Sequence, residues 1–377
     1  MAGEPTNDVP TLPLRADLRG IEPYGAPQID VPVLLNVNEN PYAPPPEVVA
    51  DITESVARAA RGLNRYPDRD FPGLRADLAA YLAAESGATD LRVENLWAAN
   101  GSNEVMLHLL QAFGGPGRTA MSFVPTYSMY PEYARDTFTD WVAGTRDPDF
   151  SLDPDDAVRQ IENVRPAVVL LASPNNPTGT ALPLDTIEAI ARATTATGPG
   201  GAASVVVVDE AYAEFRRSGT PSALSIRARH PHLAVSRTMS KAFAFAGARV
   251  GYLAAAPELV NALRVVRLPY HLSAVTQAVA RAALRHRDVL LAQVDTLRTE
   301  RDRTVSWLRE QGFTVADSDA NFVLFGEFAD RHAIWQGLLD RGVLIRETGP
   351  SEYLRVTIGS PQEMAAFRGA LKEVTGP

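Results

Sequence analysis

The residues Val-Val-Val-Val-Asp-Glu-Ala-Tyr at 205–212 decide the fold class of this chain. Four consecutive valines predict a strand that is buried on both faces, and strands of this kind occur in parallel sheets that helices cover. Other short apolar runs alternate with helical patterns between about residues 95 and 256, and they lie at 120–124, 167–172, 234–238 and 249–254. The alternation predicts an α/β fold with a mostly parallel central sheet and helices on both of its faces.

The pattern differs on either side of this region. The first forty-odd residues are rich in proline and lack periodicity, which predicts an extended N-terminal arm. Beyond Pro257, long helices precede short strands, which predicts a smaller α+β domain. We therefore divide the chain into an arm with the start of the small domain (1–45), a large domain (46–270) and a small C-terminal domain (271–377).

Composition limits the possible functions. Of the 377 residues, 45% are hydrophobic and 21% are charged, which is typical of a folded protein. The chain has no cysteine, so disulfides and thiolate chemistry are excluded, and its net charge of -9 disfavours nucleic-acid binding. The N-terminus lacks the features of a signal peptide and no apolar run could span a bilayer. We predict a cytoplasmic protein that acts on small molecules, without nucleic-acid or membrane partners.

Lysine is unusually rare in this chain. Only two of the 36 basic residues are lysines, Lys241 and Lys372. Lys241 lies in the largely apolar run Met-Ser-Lys-Ala-Phe-Ala-Phe at 239–245. A buried amine can lose its proton and act as a nucleophile or proton carrier, whereas a guanidinium cannot. Lys241 is therefore a candidate catalytic residue, although a surface lysine retained by chance also fits the sequence.

Polar residues follow several of the predicted strands, at the edge where ligands bind in open α/β sheets. Taken singly, each also fits a turn or a helix cap. The four groups are Asp209 with Tyr212, Asn176 within Ser-Pro-Asn-Asn-Pro-Thr-Gly at 173–179, Thr238 with Ser240, Lys241 and Arg249, and the helix start Asn-Gly-Ser-Asn-Glu at 100–104. Together they favour a cofactor with a phosphate and a heteroaromatic aldehyde.

Other cofactors and mechanisms lack the motifs that they need. No G-x-G-x-x-G follows a strand, and the glycine-rich run at 114–119 lacks the spacing and lysine of a P-loop. The six histidines form no H-E-x-x-H motif, so we predict no metal. A serine hydrolase is not indicated either, because no G-x-S-x-G occurs.

These motifs resemble those of the fold type I aminotransferases that depend on pyridoxal 5′-phosphate (PLP). The resemblance is carried by the stretches at 173–179, 209–212 and 240–243, by Arg249, and by Tyr-Leu-Arg-Val at 353–356. Over nearly its whole length the chain is similar to histidinol-phosphate aminotransferases, in particular actinobacterial ones. The further matching segments are 13–20, 23–24, 35–41 and 64–67.

The resemblance implies PLP as the cofactor and a role for each residue. Lys241 would be the Schiff-base lysine and proton shuttle, Asp209 would pair with the pyridine nitrogen, and Tyr212 would bind the ring 3′-oxygen. Asn176 would share that oxygen, and Tyr127 would stack on the ring. The implied phosphate ligands are Gly101, Ser102, Asn103, Thr238, Ser240 and Arg249, together with Tyr66 from the partner subunit of a homodimer.

The implied reaction converts L-histidinol phosphate and 2-oxoglutarate to imidazole acetol phosphate and L-glutamate by a ping-pong mechanism. Arg355 would bind the substrate phosphate and the glutamate carboxylate in turn, with Arg346, Tyr24 and Asn176 nearby. The cofactor motifs also fit an aromatic amino-acid aminotransferase or a threonine-phosphate decarboxylase of the same fold. A PLP-binding regulator would need a basic output module, which this acidic chain lacks.

Overall fold

A computed structural model describes residues 12–376, and residues 1–11, which belong to the predicted arm, lie outside the description. The helices are α1 (Pro46–Ala60), α2 (Pro72–Ser86), α3 (Ser102–Phe113), α4 (Tyr130–Asp136), α5 (Pro154–Val164), α6 (Leu184–Ala193), α7 (Leu224–Arg227), α8 (Pro257–Val266), α9 (Ala274–Arg285), α10 (Arg287–Glu310), α11 (Arg331–Leu339) and α12 (Pro361–Thr375). Within the described range, no helix is both long enough and apolar enough to cross a membrane.

The strands form three sheets within the same range. They are β1 (Val33–Leu34), β2 (Leu96–Ala99), β3 (Thr119–Val124), β4 (Asp140–Thr145), β5 (Val168–Ala172), β6 (Val205–Asp209), β7 (Leu233–Thr238), β8 (Gly251–Ala254), β9 (Thr314–Val315), β10 (Phe322–Gly326), β11 (Val343–Leu344), β12 (Arg346–Glu347) and β13 (Tyr353–Thr357).

The largest sheet has seven strands in the order β2-β8-β7-β6-β5-β3-β4. The valine run forms β6 at its centre, where every residue is buried between parallel neighbours. The mostly parallel α/β fold is thereby confirmed. One strand departs from the expected direction, since the run at 249–254 forms β8, which is antiparallel to β2 and β7. Burial of an apolar strand does not specify its direction, so composition alone could not predict this reversal.

Several helices begin at residues that satisfy their free backbone amides. Asp153, Ser273 and Asp330 each accept a hydrogen bond from an amide in the first turn of the following helix. Ser360 and Glu363 form a reciprocal capping box at the start of α12. Helix α3 is different, because it begins after Gly101, which has no side chain to cap it. Its first amides remain available to a ligand.

The smaller sheet has the order β12-β13-β10-β9 and is antiparallel. The N-terminal segment joins this region because β1 pairs in parallel with β11. The Thr357 amide also donates to the Leu35 carbonyl at 2.9 Å. Residues 36–39 are thereby held beside β13, which carries Arg355.

Three neighbouring strands end at the same edge of the large sheet. Register pairs Ala172 at the end of β5 with Asp209 at the end of β6, and pairs Asp209 with Ser236 in β7. The polar residues that follow these strands therefore meet above one edge.

Candidate active site

A cavity of about 270 Å³ opens at this edge of the large sheet. It is bounded by the strand ends, the start of α3, the N-terminal segment and β12–β13. The predicted site residues that line it are Tyr24, Ser102, Asn103, Tyr127, Asn176, Asp209, Tyr212, Thr238, Ser240, Lys241, Arg249, Arg346 and Arg355. The structure thus brings together side chains that are up to about 330 positions apart in the chain.

Lys241 lies in the loop that follows β7 and extends into the cavity. Its Nζ donates a hydrogen bond to the Val37 carbonyl at 2.8 Å. Burial, with smaller contributions from the Arg355 and Arg249 cations, lowers the pKa of Lys241 to about 8, while Glu39 opposes the shift. A substantial fraction of the amine is therefore neutral near physiological pH, as nucleophilic and proton-transfer chemistry requires.

Asp209 is the last residue of β6 and is only 7% exposed. The Tyr130 hydroxyl donates to its Oδ2 at 3.0 Å, whereas Oδ1 has no hydrogen-bond partner among residues 12–376. Burial raises the pKa of Asp209 to about 6, and the Tyr130 hydrogen bond partly opposes this shift. A buried carboxylate with one free oxygen is suited to a cationic or N–H donor in a ligand.

Groups that can bind an anion meet at the start of α3. Gly101 has φ +89°, and a Cβ atom built on it would lie 2.5 Å from Nη2 of Arg249, so the guanidinium packs directly on the glycine. Arg249 also donates to Ser240 Oγ at 3.4 Å, and Thr238 Oγ1 donates to the same oxygen at 3.0 Å. Free helix amides, hydroxyls and a cation converge here, as in phosphate sites of other proteins.

Arg355 and Arg346 place a second group of this kind in the cavity. Arg355 is 6% exposed and donates to Asn176 Oδ1 at 2.6 Å and to the Asn36 carbonyl at 2.9 Å. Its Nε and the Nη1 of Arg346 have no partner among residues 12–376. Burial, together with Arg346, lowers the pKa of Arg355 to about 10. Within that range neither arginine has a carboxylate within 4.0 Å, so both charges are available to an anionic substrate.

The described part of the N-terminal arm covers one side of the cavity. Tyr24 and Ser128 share a hydrogen bond of 2.9 Å between their hydroxyl oxygens. The next residue, Gly25, accepts a hydrogen bond from Arg346 Nη2 at 3.1 Å. Tyr24 is still 49% exposed, so it lies at the mouth of the cavity.

Some residues that support the site were not predicted from the sequence. Asn38 Nδ2 donates to the Tyr212 hydroxyl at 2.9 Å and so orients that phenol. Tyr130, which contacts Asp209, and Val37, which accepts from Lys241, were also not identified as site residues. Asn38 lies in the segment 35–41 that carried part of the resemblance, but spacing alone did not indicate what its side chain contacts.

Tyr66 is the predicted site residue that lies away from the cavity. Its side chain is 81% exposed and stacks on Tyr270 with ring centroids 4.5 Å apart. Gly101 does not line the cavity with a side chain, because it has none, but its backbone lies beneath Arg249.

The residues present fit PLP. The unpaired Asp209 oxygen, the Lys241 amine of lowered pKa and the anion-binding start of α3 match its ring nitrogen, aldehyde and phosphate. With the mostly parallel sheet, this site defines the class of fold type I PLP enzymes. Within that class, the chain belongs to the family of class I and II aminotransferases, whose model matches residues 31–371. The predicted aminotransferase class is confirmed.

Individual relatives agree with the family assignment. The chain is 62% identical over 363 residues to "histidinol-phosphate aminotransferase 3" of Burkholderia lata, covering 96% of each chain. It is also 62% identical to the histidinol-phosphate aminotransferase of Thermobifida fusca, covering 97% of this chain and 96% of the relative. The crystal structure of the Sinorhizobium meliloti histidinol-phosphate aminotransferase with PLP has the same fold, with a TM-score of 0.80, 24% identity and 91% coverage of each chain. The resemblance inferred from the sequence is confirmed.

Proposed function

We propose that this aminotransferase interconverts L-histidinol phosphate and 2-oxoglutarate with imidazole acetol phosphate and L-glutamate. The proposal is supported by relatives of that name at 62% identity. The structural observation that carries it is the pair Arg355 and Arg346, which have no carboxylate within 4.0 Å among residues 12–376 and line the same cavity as a lysine of lowered pKa. One anion-binding region serves the cofactor phosphate, and this second region serves a substrate that has a phosphate of its own.

PLP is the proposed cofactor, and when bound it supplies a ring that stabilises negative charge at the substrate Cα. Asp209 would pair with the ring nitrogen and keep that nitrogen protonated. Asn176 and Tyr212 would hydrogen-bond the ring 3′-oxygen, and Tyr127 would stack on the ring. The start of α3, including Gly101, Ser102 and Asn103, would bind the phosphate together with Thr238, Ser240 and Arg249.

Lys241 has two proposed tasks. Its amine would hold PLP when the cofactor is bound, and, once displaced by the substrate amine, Nζ would accept the proton of the substrate Cα. The same Nζ would then donate that proton to C4′ of the cofactor. The lowered pKa of Lys241, about 8, suits this exchange because the amine can both accept and release a proton near neutral pH.

Arg355 is the proposed residue that accommodates both substrates. Its guanidinium can form two parallel hydrogen bonds to a phosphate or to a carboxylate, so histidinol phosphate and glutamate use the same position in successive half-reactions. Arg346 adds a second charge, and Tyr24 closes the mouth of the cavity above them. Asn176 supports the arrangement by accepting a hydrogen bond from Arg355 at 2.6 Å.

We further propose a homodimer that works in the cytoplasm. Tyr66 is 81% exposed and does not line the cavity of its own subunit, as expected if it reaches the cofactor phosphate of the partner subunit. The division into residues 1–45, 46–270 and 271–377 is kept as the proposed domain organisation. The seven-stranded sheet falls within the second part and the four-stranded sheet within the third.

A substrate panel on the PLP-loaded enzyme tests the reaction. We expect release of glutamate from 2-oxoglutarate in the presence of histidinol phosphate, at a kcat/KM at least about tenfold above that with phenylalanine. Threonine phosphate should release no carbon dioxide. Faster turnover of phenylalanine would instead assign an aromatic aminotransferase, and carbon dioxide release without an amino acceptor would assign a decarboxylase.

A further inference from the structure

Tyr130 contacts the Asp209 carboxylate and has no assigned role in the reaction. It is the first residue of α4 and is fully buried, with 0% exposure. Its hydroxyl donates to Asp209 Oδ2 at 3.0 Å, while Asp209 Oδ1 is left without a partner among residues 12–376. One oxygen of the carboxylate is thus held by the protein, and the other is left for a ligand.

The other titratable groups around Asp209 provide no equivalent contact. Tyr127, Tyr133 and Tyr212 interact electrostatically with Asp209, and Glu210 is its neighbour in the chain. Glu210 forms an ion pair with Arg237 at 2.7 Å instead. No hydrogen bond joins any of these four side chains to Asp209 within the described range. Tyr130 is therefore the side chain that holds this carboxylate.

A cation, Arg146, interacts electrostatically with Tyr130. Arg146 donates to the carbonyl oxygens of Phe123 at 3.1 Å and Phe150 at 3.2 Å, and it has no carboxylate partner within residues 12–376. The attraction between Arg146 and Tyr130 raises the pKa of the guanidinium, against the larger effect of its burial. A nearby positive charge makes a phenol a stronger hydrogen-bond donor, because it stabilises the electron density left on the oxygen.

We infer that Tyr130 is a positioning residue for Asp209. Its hydroxyl fixes Oδ2, directs Oδ1 into the cavity and keeps the carboxylate charged for the cofactor ring nitrogen. The inference rests on the proposed function, because it assumes that PLP binds in this cavity.

Burial explains why such a residue is needed. Burial raises the pKa of Asp209 to about 6, and a protonated acid cannot form a charge pair with a protonated ring nitrogen. A hydrogen bond to the ionised carboxylate lowers the pKa again. Removal of the Tyr130 hydroxyl should therefore leave Asp209 neutral over a wider pH range.

The test compares Tyr130→Phe with Tyr133→Phe. Tyr133 lies one turn further along α4, is 4% exposed, and its hydroxyl has no hydrogen-bond partner among residues 12–376, so this variant is a matched control for loss of a buried phenol oxygen. Each apo protein is titrated with PLP between about pH 5 and pH 8, across the range in which the carboxylate titrates, and binding is followed by absorbance.

We expect the pH midpoint of PLP affinity to rise by about one unit in Tyr130→Phe, which corresponds to about tenfold weaker binding below the midpoint. Tyr133→Phe should keep the native midpoint. Arg146→Gln, which leaves both Tyr130 and Asp209 in place, should shift the midpoint in the same direction but less. In Asp209→Asn the midpoint should disappear, and the addition of Tyr130→Phe should change nothing further.

An unchanged midpoint in Tyr130→Phe would overturn the inference, as would equal shifts in Tyr130→Phe and Tyr133→Phe. If Tyr130→Phe does not fold, Arg146→Gln decides alone. A native protein that does not bind PLP at any pH would refute the proposed function itself. The two failures are distinguishable, because the failure of the proposed function is seen in the native protein, whereas the failure of the inference is seen only in the variants.

Discussion

The pKa values of individual residues in this site differ from those of exposed residues mainly because the side chains are buried. The pKa of Lys241 falls to about 8 and that of Asp209 rises to about 6, because burial disfavours the charged form of each group. The Arg355 guanidinium keeps its charge, since its pKa falls only to about 10. The cavity therefore combines a permanently charged anion site with two groups whose protons can move near neutral pH.

Replacement of Lys241 by arginine tests the need for an amine. Lys241→Arg retains the charge but cannot form a covalent bond with the aldehyde or transfer a proton, so we expect kcat to fall by about 10³-fold or more. Lys372→Arg is the control, because Lys372 lies on α12 near Trp307, outside the cavity. Initial rates with histidinol phosphate measure both. Near-native activity of Lys241→Arg would contradict the assigned role.

The lowered pKa of Lys241 predicts a pH-dependent reactivity. The neutral fraction of an amine rises with pH and reaches half at the pKa, so modification of Lys241 in the apo protein by an amine-reactive reagent should have its midpoint near pH 8. Peptide mapping by mass spectrometry at increasing pH measures the midpoint. A midpoint near the usual lysine value would mean that the amine is solvated.

Replacement of Arg355 by lysine tests the shared anion site. Lysine keeps the charge but loses the planar pair of donors, at a cost of about 1.5–3 kcal/mol. Arg355→Lys should therefore raise KM for both histidinol phosphate and 2-oxoglutarate by about 10- to 100-fold. The exposed Arg303, which pairs with Glu300 at 3.1 Å, provides the control variant Arg303→Lys. An effect on only one substrate would show that the two anions bind at different positions.

At the scale of elements, the site depends on how α3 begins. Four of the described helices, α5, α9, α11 and α12, have side-chain caps, whereas α3 begins after a glycine and leaves its amides free. Gly101 combines positive φ with close contact to Arg249, so two separate constraints require glycine there. The start of α3 therefore lacks the stabilising effect of a side-chain cap but leaves backbone amides beside Arg249 that suit an anion.

Gly101→Ala tests this element. The new Cβ would displace the Arg249 guanidinium, so we expect PLP affinity to fall by about tenfold or more, in addition to about 1 kcal/mol lost from the free energy of unfolding. Gly87→Ala is the matched control. Gly87 also has a positive φ, of +75°, but a Cβ atom built on it would have nothing within 4 Å. It should lose stability but keep PLP affinity. Equal affinity losses in both variants would mean that backbone strain alone is responsible.

At the scale of the whole molecule, apolar side chains are exposed on the two segments that carry the Tyr66–Tyr270 stack. Val265 is 82% exposed and Leu268 is 74% exposed, close in the chain to Tyr270. Large apolar side chains exposed together favour burial against another protein surface. This observation is consistent with the proposed homodimer, in which each subunit completes the other's cofactor site.

A charge introduced on this surface should separate the subunits. In Leu268→Asp the carboxylate would have to be desolvated at the interface, so we expect dimer stability to fall by about 2 kcal/mol or more, with a parallel loss of PLP affinity. Ala333→Asp adds the same charge to an exposed position on α11 and is the control. Light scattering at several concentrations measures the association. A stable Leu268→Asp dimer would place the interface elsewhere.

The sequence by itself determined the fold class, the large sheet and most residues of the site, because buried strands and the polar residues at their ends leave local patterns. Asp209 and Lys241 could be identified in this way. Only the tertiary structure decided the direction of β8 and the contacts of Val37, Asn38 and Tyr130. These depend on packing between segments far apart in the chain, and neither spacing nor composition specifies which distant groups come into contact.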